Sequence, residues 1–228
     1  MTIAHRIEKT INPFSTRFIR PGRIAPLDAE GHPVAIADLA ARARAQPACA
    51  LVGPHGSGKS NLLAALAGEL SRDVATRTFR IRSNRDALSL VVRLARDSGP
   101  AFLCVDGWEQ AGVALQLAVR LVARWRRYSL MVTAHRACGL PALVTCTTSP
   151  MLLERIVAEL PSHQGLIEPN DLAEAFAGSA GNLREALFDL YDRFEARARA
   201  VPVDPSMTAL TSVPVVPSAA EKFTKHPP

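Results

Sequence analysis

Lysine is scarce in this chain: only Lys9, Lys59, Lys222 and Lys225 stand among 27 basic residues, so arginine makes nearly all of the positive charge. Cysteine is scarce as well. Cys49, Cys104, Cys138 and Cys146 never form a C-x-x-C pair, which argues against a zinc knuckle or a thiol redox couple. They read as reduced, mostly buried thiols. Long hydrophobic runs are missing: nowhere do apolar residues extend to the roughly 20 that span a bilayer. The opening MTIAHRIEKTINPF carries no apolar stretch of signal-peptide length. The expected compartment is therefore cytoplasmic, with no membrane span. Aromatic residues make up only 5% of the chain.

What is present is enough for one substantial domain, or a domain with a small appendage: 228 residues can bury a real core. Net charge is +6 and the pI is near 9.6. An arginine-borne excess favours phosphates or acidic partners, so nucleic acid stands beside an unknown protein as a candidate partner.

Residues 1–45 mix prolines with short apolar pieces and end in the helical spacing of AIADLAARARA, an N-terminal arm and helix. From residue 46 to 149 apolar strand runs alternate with helical period: ACALV, RTFRIR, AFLCVD, SLMVTAH and ALVTCT, separated by SNLLAALAGEL, DALSLVVRLARD and a long helix over EQAGVALQLAVRLVARWRR. Such alternation predicts an α/β fold, a parallel five-stranded sheet with helices on both faces. Residues 150–200 read as helices only, a small helical lid. The Pro-, Ser-, Thr- and Val-rich residues 201–228 have no period and predict a disordered tail.

The segment LVGPHGSGKSNLL carries Gly53, Gly58, Lys59 and Ser60 in the pattern G-x-x-x-x-G-K-S/T. Chance gives that pattern in about one chain of this length in a hundred. Here it also follows an apolar strand and opens a helix, the setting that gives it meaning. Glycines let the backbone curl so that N–H groups point at phosphate oxygens, and the helix N-terminus adds its positive end. The loop Gly53, Pro54, His55, Gly56, Ser57, Gly58, Lys59, Ser60 and Asn61 is thus the candidate phosphate cradle. Lys59 would sit on the β- and γ-phosphates and the Ser60 hydroxyl on Mg²⁺. His55 reads as a solvent-side loop residue rather than a reacting one.

A second acid is needed for a metal. AFLCVDGWEQ puts Asp106 at the C-terminal end of a buried strand, where ligands of such sheets sit. Gly107 follows, and the next acid is Glu109. It either swings back to polarise water or is a first-turn helix acid favoured by the dipole.

GPHGSGKS followed by FLCVDGWEQ resembles the P-loop NTPases of the AAA+ and STAND group, of the additional-strand class. The Asp106-Gly107-x-Glu109 arrangement is similar to the NACHT form of the second motif. The resemblance implies ATP and Mg²⁺ as cofactors, Asp106 on the metal side and Glu109 positioning water. It implies a polar sensor at the end of SLMVTAH, with Thr133 and His135 both candidates. It also implies that GNLREAL closes a lid whose Arg184 reaches back to the phosphates; a salt-bridged surface arginine is the alternative. Of NPFSTRFIRPG, it implies that Phe14, Phe18 or Ile19 could pack on adenine; the alternatives are contact of Arg17, Arg20 and Arg23 with a phosphate backbone or protein partner, and an arm packed on the sheet. No arginine finger for a homo-oligomer can be assigned: Arg124, Arg126, Arg127 and Arg136 are open candidates, with a solvated basic face the alternative for each. The expected function is an Mg-dependent ATPase whose lid or subunit movement acts on a protein or nucleic-acid partner. A slowly hydrolysing or non-hydrolysing switch, or DNA-associated adaptor, is the alternative, and a small-molecule kinase a weaker one. The absence of an Asn/Thr-Lys-x-Asp base-reading motif favours ATP over GTP.

Overall fold

Five apolar runs pair side by side in parallel because each hands the chain to a crossing segment before the next begins. The computed structural model describes residues 11–96, 101–163 and 165–200. The sheet holds β1 (Ala48–Val52), β2 (Thr76–Arg80), β3 (Phe102–Asp106), β4 (Ser129–Ala134) and β5 (Ala142–Thr145) in the order β2-β3-β4-β1-β5. Every pairing is parallel. Residues 1–10 of the expected arm and all of the expected tail, 201–228, lie outside the described residues.

The two-residue side-chain alternation of a strand divides the core. After a short α1 (Thr16–Ile19), the chain forms α2 (Ile36–Arg44) and α3 (Lys59–Leu70), which Cys49, Leu51, Phe102, Cys104 and Met131 face. Ala50, Leu103, Val105, Leu130 and Val132 face α4 (Asn84–Arg96) and α5 (Val113–Trp125). This parity matters for the site. Counting on by two from Cys104 and Met131 brings Asp106 and Thr133 to the α3 face, at the C-terminal edge where α3 begins. Burial pushes the Cys49 thiol up to about 11 and the Cys104 thiol up to about 12, so both act as small hydrophobes.

The long helix expected over residues 109–127 is broken. Trp108–Gln110 form a single 3₁₀ turn, Ala111 and Gly112 are extended, and only then does α5 start. Tertiary contacts override the period here. Trp108 is buried in the core, the Gln116 side chain donates to Trp108 O (3.0 Å) and Ala111 O (2.8 Å), and Gly112 N donates to Asn84 Oδ1 (2.8 Å). On α5 itself Val119 and Ala123 point inward, whereas Val113, Leu117, Leu121 and Trp125 form an exposed row.

Residues beyond the sheet are helical: α6 (Pro150–Glu159), α7 (Pro169–Gly178) and α8 (Leu183–Ala200). Ser149 caps α6 by accepting from Leu152 N at 3.0 Å, with Pro150 as first residue. Leu153, Ala175, Leu187, Leu190 and Phe194 close a third core. Phe14, 1% exposed, belongs to the same core, and its ring meets Phe194 edge-on at 6.4 Å. Asn12 adds hydrogen bonds from Nδ2 to Tyr191 O (3.1 Å) and Glu195 Oε1 (3.0 Å). Asn12 and Phe14 of the arm thus pack on the helical unit. Phe14→Ala should lower stability by about 3–5 kcal/mol, read as a shifted urea midpoint; an unchanged midpoint would mean that the arm is not anchored there.

A buried carboxylate ties the same helices. Asp171, 4% exposed, accepts from Arg197 Nη1 (2.5 Å) and Nη2 (2.7 Å), from Arg193 Nη1 (3.0 Å) and from Glu168 N (2.7 Å). The Arg197 guanidinium holds its carboxyl well below the usual carboxylate range. The folded-state pKa is depressed, so this stabilisation is fully present above the unfolded value near 3.9 and fades as pH falls below it. Asp171→Ala should cost about 3 kcal/mol at pH 7. The cost should shrink in denaturation runs at pH 3, and equal losses at both pH values would count against the ionised pair.

Candidate functional site

The loop from β1 to α3 ends in Gly58, whose left-handed backbone (φ 81°) starts the helix, so Lys59 is the first residue of α3. Lys59 is 7% exposed. Its Nζ folds back on the loop, donating to Gly53 O (2.7 Å) and Pro54 O (2.5 Å), with Ser57 Oγ at 3.5 Å. Burial pushes the Lys59 ammonium below the ordinary lysine value, and Arg184 adds to the effect while Glu109 and Asp106 oppose it. A covered cation held by neutral carbonyls is a site that gains from an anion. The loop also has a tight neighbour: at Gly56 (φ 73°) a Cβ would lie 1.9 Å from Asn182 Oδ1, at the start of α8.

Asp106 is the node of the site. Its Oδ1 accepts from the hydroxyls of Ser60 (2.8 Å) and Thr133 (2.8 Å), while Arg80 Nε (3.0 Å) and Nη2 (2.9 Å) both reach Oδ2. Thr133 in turn accepts from Gly107 N at 2.9 Å. Gly107 has a reason to be glycine: its φ is 80°, and a Cβ there would stand 2.3 Å from Ile81 O. A side chain directly after Asp106 would meet that carbonyl, and the next acid in the chain is Glu109, three positions on. Glu109 lies in the 3₁₀ turn, and His135 Nε2 is 3.1 Å from its Oε1. Burial pushes the His135 imidazole below its ordinary value against the pull of Glu109. His55 is an exposed loop residue, as expected, and its ring lies against His135 with centroids 3.6 Å apart at a tilt of 48°.

These groups open on one cavity of about 700 Å³. Lys59, Ser60, Asp106, Glu109, Thr133, His135 and Arg184 all line it. Arg184 is exposed, its backbone N–H bonded to Asn182 Oδ1 at 3.1 Å. Ile19, Ile24, Leu152, Ile156, Leu187 and Phe188 add apolar wall to the same cavity. Of the three arm residues considered for a base, Ile19 lines the cavity. Phe14 sits in the third core, and Phe18 faces a separate pocket beside Glu159. Asn61 fixes this wall, accepting from Gly22 N (2.6 Å) and donating to Ile24 O (2.9 Å). Arg124, Arg126, Arg127 and Arg136 are absent from the lining, and Arg126 lies over the Trp125 ring at 4.4 Å.

Sequence reasoning missed Arg80 and Asn182. The signal for Arg80 was the alternation of TRTFR, which puts Phe79 toward the core and Arg80 on the other face. The signal for Asn182 was the helix start in G-N-L-R-E, where an Asn before a periodic run reads as a cap.

The donor set suits a hard divalent ion: a hydroxyl and a carboxylate, both oxygen. No group of three or more His, Cys, Asp or Glu side chains among the described residues is arranged to hold a metal unaided. An ion at Ser60 and Asp106 would complete its shell with water and ligand oxygens, as Mg²⁺ at phosphate sites does.

The structure is therefore an α/β protein with its candidate site at the C-terminal edge of a parallel sheet. No family model and no curated protein matches the sequence. Among solved structures the chain is similar to PCH-2 of C. elegans, with a TM-score of 0.40 and 14% identity over 72% of this chain and 67% of that one. It is also similar to a chain in the structure of Drosophila ORC bound to DNA, with a TM-score of 0.40 and 12% identity over 68% of this chain and 61% of that one. Both likenesses are distant. Among the described residues no helix is long and apolar enough to cross a membrane.

Proposed function

We propose that the chain is an Mg-dependent ATP-binding protein and an ATPase, whose nucleotide state is passed through the helical unit to a protein or nucleic-acid partner. The single observation behind this reading is the convergence of a buried Lys59 with the Ser60–Asp106 hydrogen bond of 2.8 Å at one end of the cavity. Lys59 and the loop amides bind and orient the phosphates. Ser60 and Asp106 hold the metal, which supplies charge neutralisation at the phosphate oxygens. Glu109 orients and deprotonates water, and His135 fixes the Glu109 carboxylate from 3.1 Å. Thr133 keeps Asp106 and the Gly107 backbone in register with the strand end. The apolar wall suits a base, and Arg184 at the rim suits the phosphate side.

A switch that binds without turnover is the second reading, favoured by one observation: the acid that would act on water stands beside His135 rather than directly after Asp106. Calorimetry with ATP and Mg²⁺ tests binding, and single-turnover hydrolysis with excess protein separates the two readings. Intact bound ATP after many minutes would favour the switch; absence of binding would end both.

A further inference from the structure

Arg80 ends β2, the edge strand, in register with Asp106 of β3. Parallel pairing in register puts both side chains on the same face, so the guanidinium and the carboxylate meet by construction. Two donors of Arg80 converge on Oδ2, and the Ser60 and Thr133 hydroxyls occupy Oδ1. The acid side chain is 14% exposed and the arginine 51%. Arg80 can therefore swing into solvent without disturbing the sheet, whereas Asp106 stays in place.

We propose that Arg80 is a built-in counter-ion that competes with the divalent cation for Asp106. The proposal rests on the nucleotide-site reading above. Without metal, Arg80 neutralises a carboxylate that would otherwise face incoming phosphates. With metal, the same contact is opposed, because a divalent cation drawn to the Ser60 side of this carboxylate faces a guanidinium 3.0 Å from its other oxygen, and like charges repel. Removing Arg80 then acts in opposite directions on the two forms of the ligand. Loss of a merely structural contact would weaken both.

The test is calorimetric binding of ATPγS to wild type, Arg80→Gln and Arg80→Lys, first in EDTA and then at stepped Mg²⁺ concentrations. A half-exposed ion pair is worth at most about fivefold in an equilibrium. Arg80→Gln should bind metal-free ATPγS about two- to fivefold more weakly, and should need about two- to fivefold less Mg²⁺ for half-maximal enhancement of binding. Arg80→Lys keeps the charge and should fall between the two. Equal Mg²⁺ dependence in wild type and Arg80→Gln, or parallel weakening in both conditions, overturns the counter-ion role and leaves the nucleotide site standing. Failure of wild type to bind ATPγS in either condition overturns both. Matching thermal melts of the three proteins exclude misfolding as the cause.

Discussion

Lys59→Ala should lose about a hundredfold or more in ATP affinity. The estimate follows from the contacts Lys59 already makes. Its Nζ is covered and spends its donors on Gly53 O and Pro54 O, neutral acceptors, with its ammonium held below its ordinary pKa by burial. A phosphate oxygen in that place exchanges neutral hydrogen bonds for charge-assisted ones, worth up to about 3 kcal/mol each, and 1.4 kcal/mol is tenfold in affinity. The fold should survive, because α3 is held by Leu62, Leu63, Leu66 and Leu70 rather than by the lysine. Calorimetry with ATP and Mg²⁺ reads the effect, with circular dichroism as the control. Unchanged affinity in a folded variant would remove the phosphate reading of the loop.

Glu109→Gln should keep ATP binding and reduce single-turnover hydrolysis by about 10²–10⁴-fold, the usual contribution of a positioned base. Glutamine retains the shape and the contact surface but cannot accept a proton from water. It also loses the charge that faces His135, so the imidazole, already pushed down by burial, should fall further. Equal turnover in wild type and variant would return Glu109 to the role of an acid at the start of a 3₁₀ turn. A loss of binding along with turnover would show that Glu109 shapes the loop instead.

The sheet could be read from the sequence because its strands are short apolar runs separated by periodic segments. The strand-to-helix turn over Gly53–Lys59 could be read because its glycines lie close together between an apolar run and a periodic segment. Asp106 was legible as the polar end of a buried strand. What the sequence hid depends on neighbours distant in the chain. The helix expected over 109–127 breaks because Trp108 goes into the core and Gln116 bonds backward, and no local pattern announces either. The apolar period of α5 was plain, yet Leu117 and Leu121 face outward while Val119 and Ala123 meet the sheet. Arg80 looked like one arginine among many until strand register set it opposite Asp106. Phe14 looked suited to a base, but its partner, Phe194, lies at the other end of the described chain.

One amide oxygen belongs to two parts of the molecule at once. Asn182 Oδ1 accepts from Arg184 N (3.1 Å) and Glu185 N (3.4 Å) at the start of α8, and the same atom occupies the space that a Cβ on Gly56 would need. The loop cannot shift toward α8 without disturbing its cap. For the proposed nucleotide site, ligand affinity and the placement of the C-terminal helices would then be linked quantities, with linkage running both ways by the same factor. Under the proposed nucleotide binding, a partner gripping those helices would alter how tightly the loop holds its ligand, even from a surface that the ligand never touches.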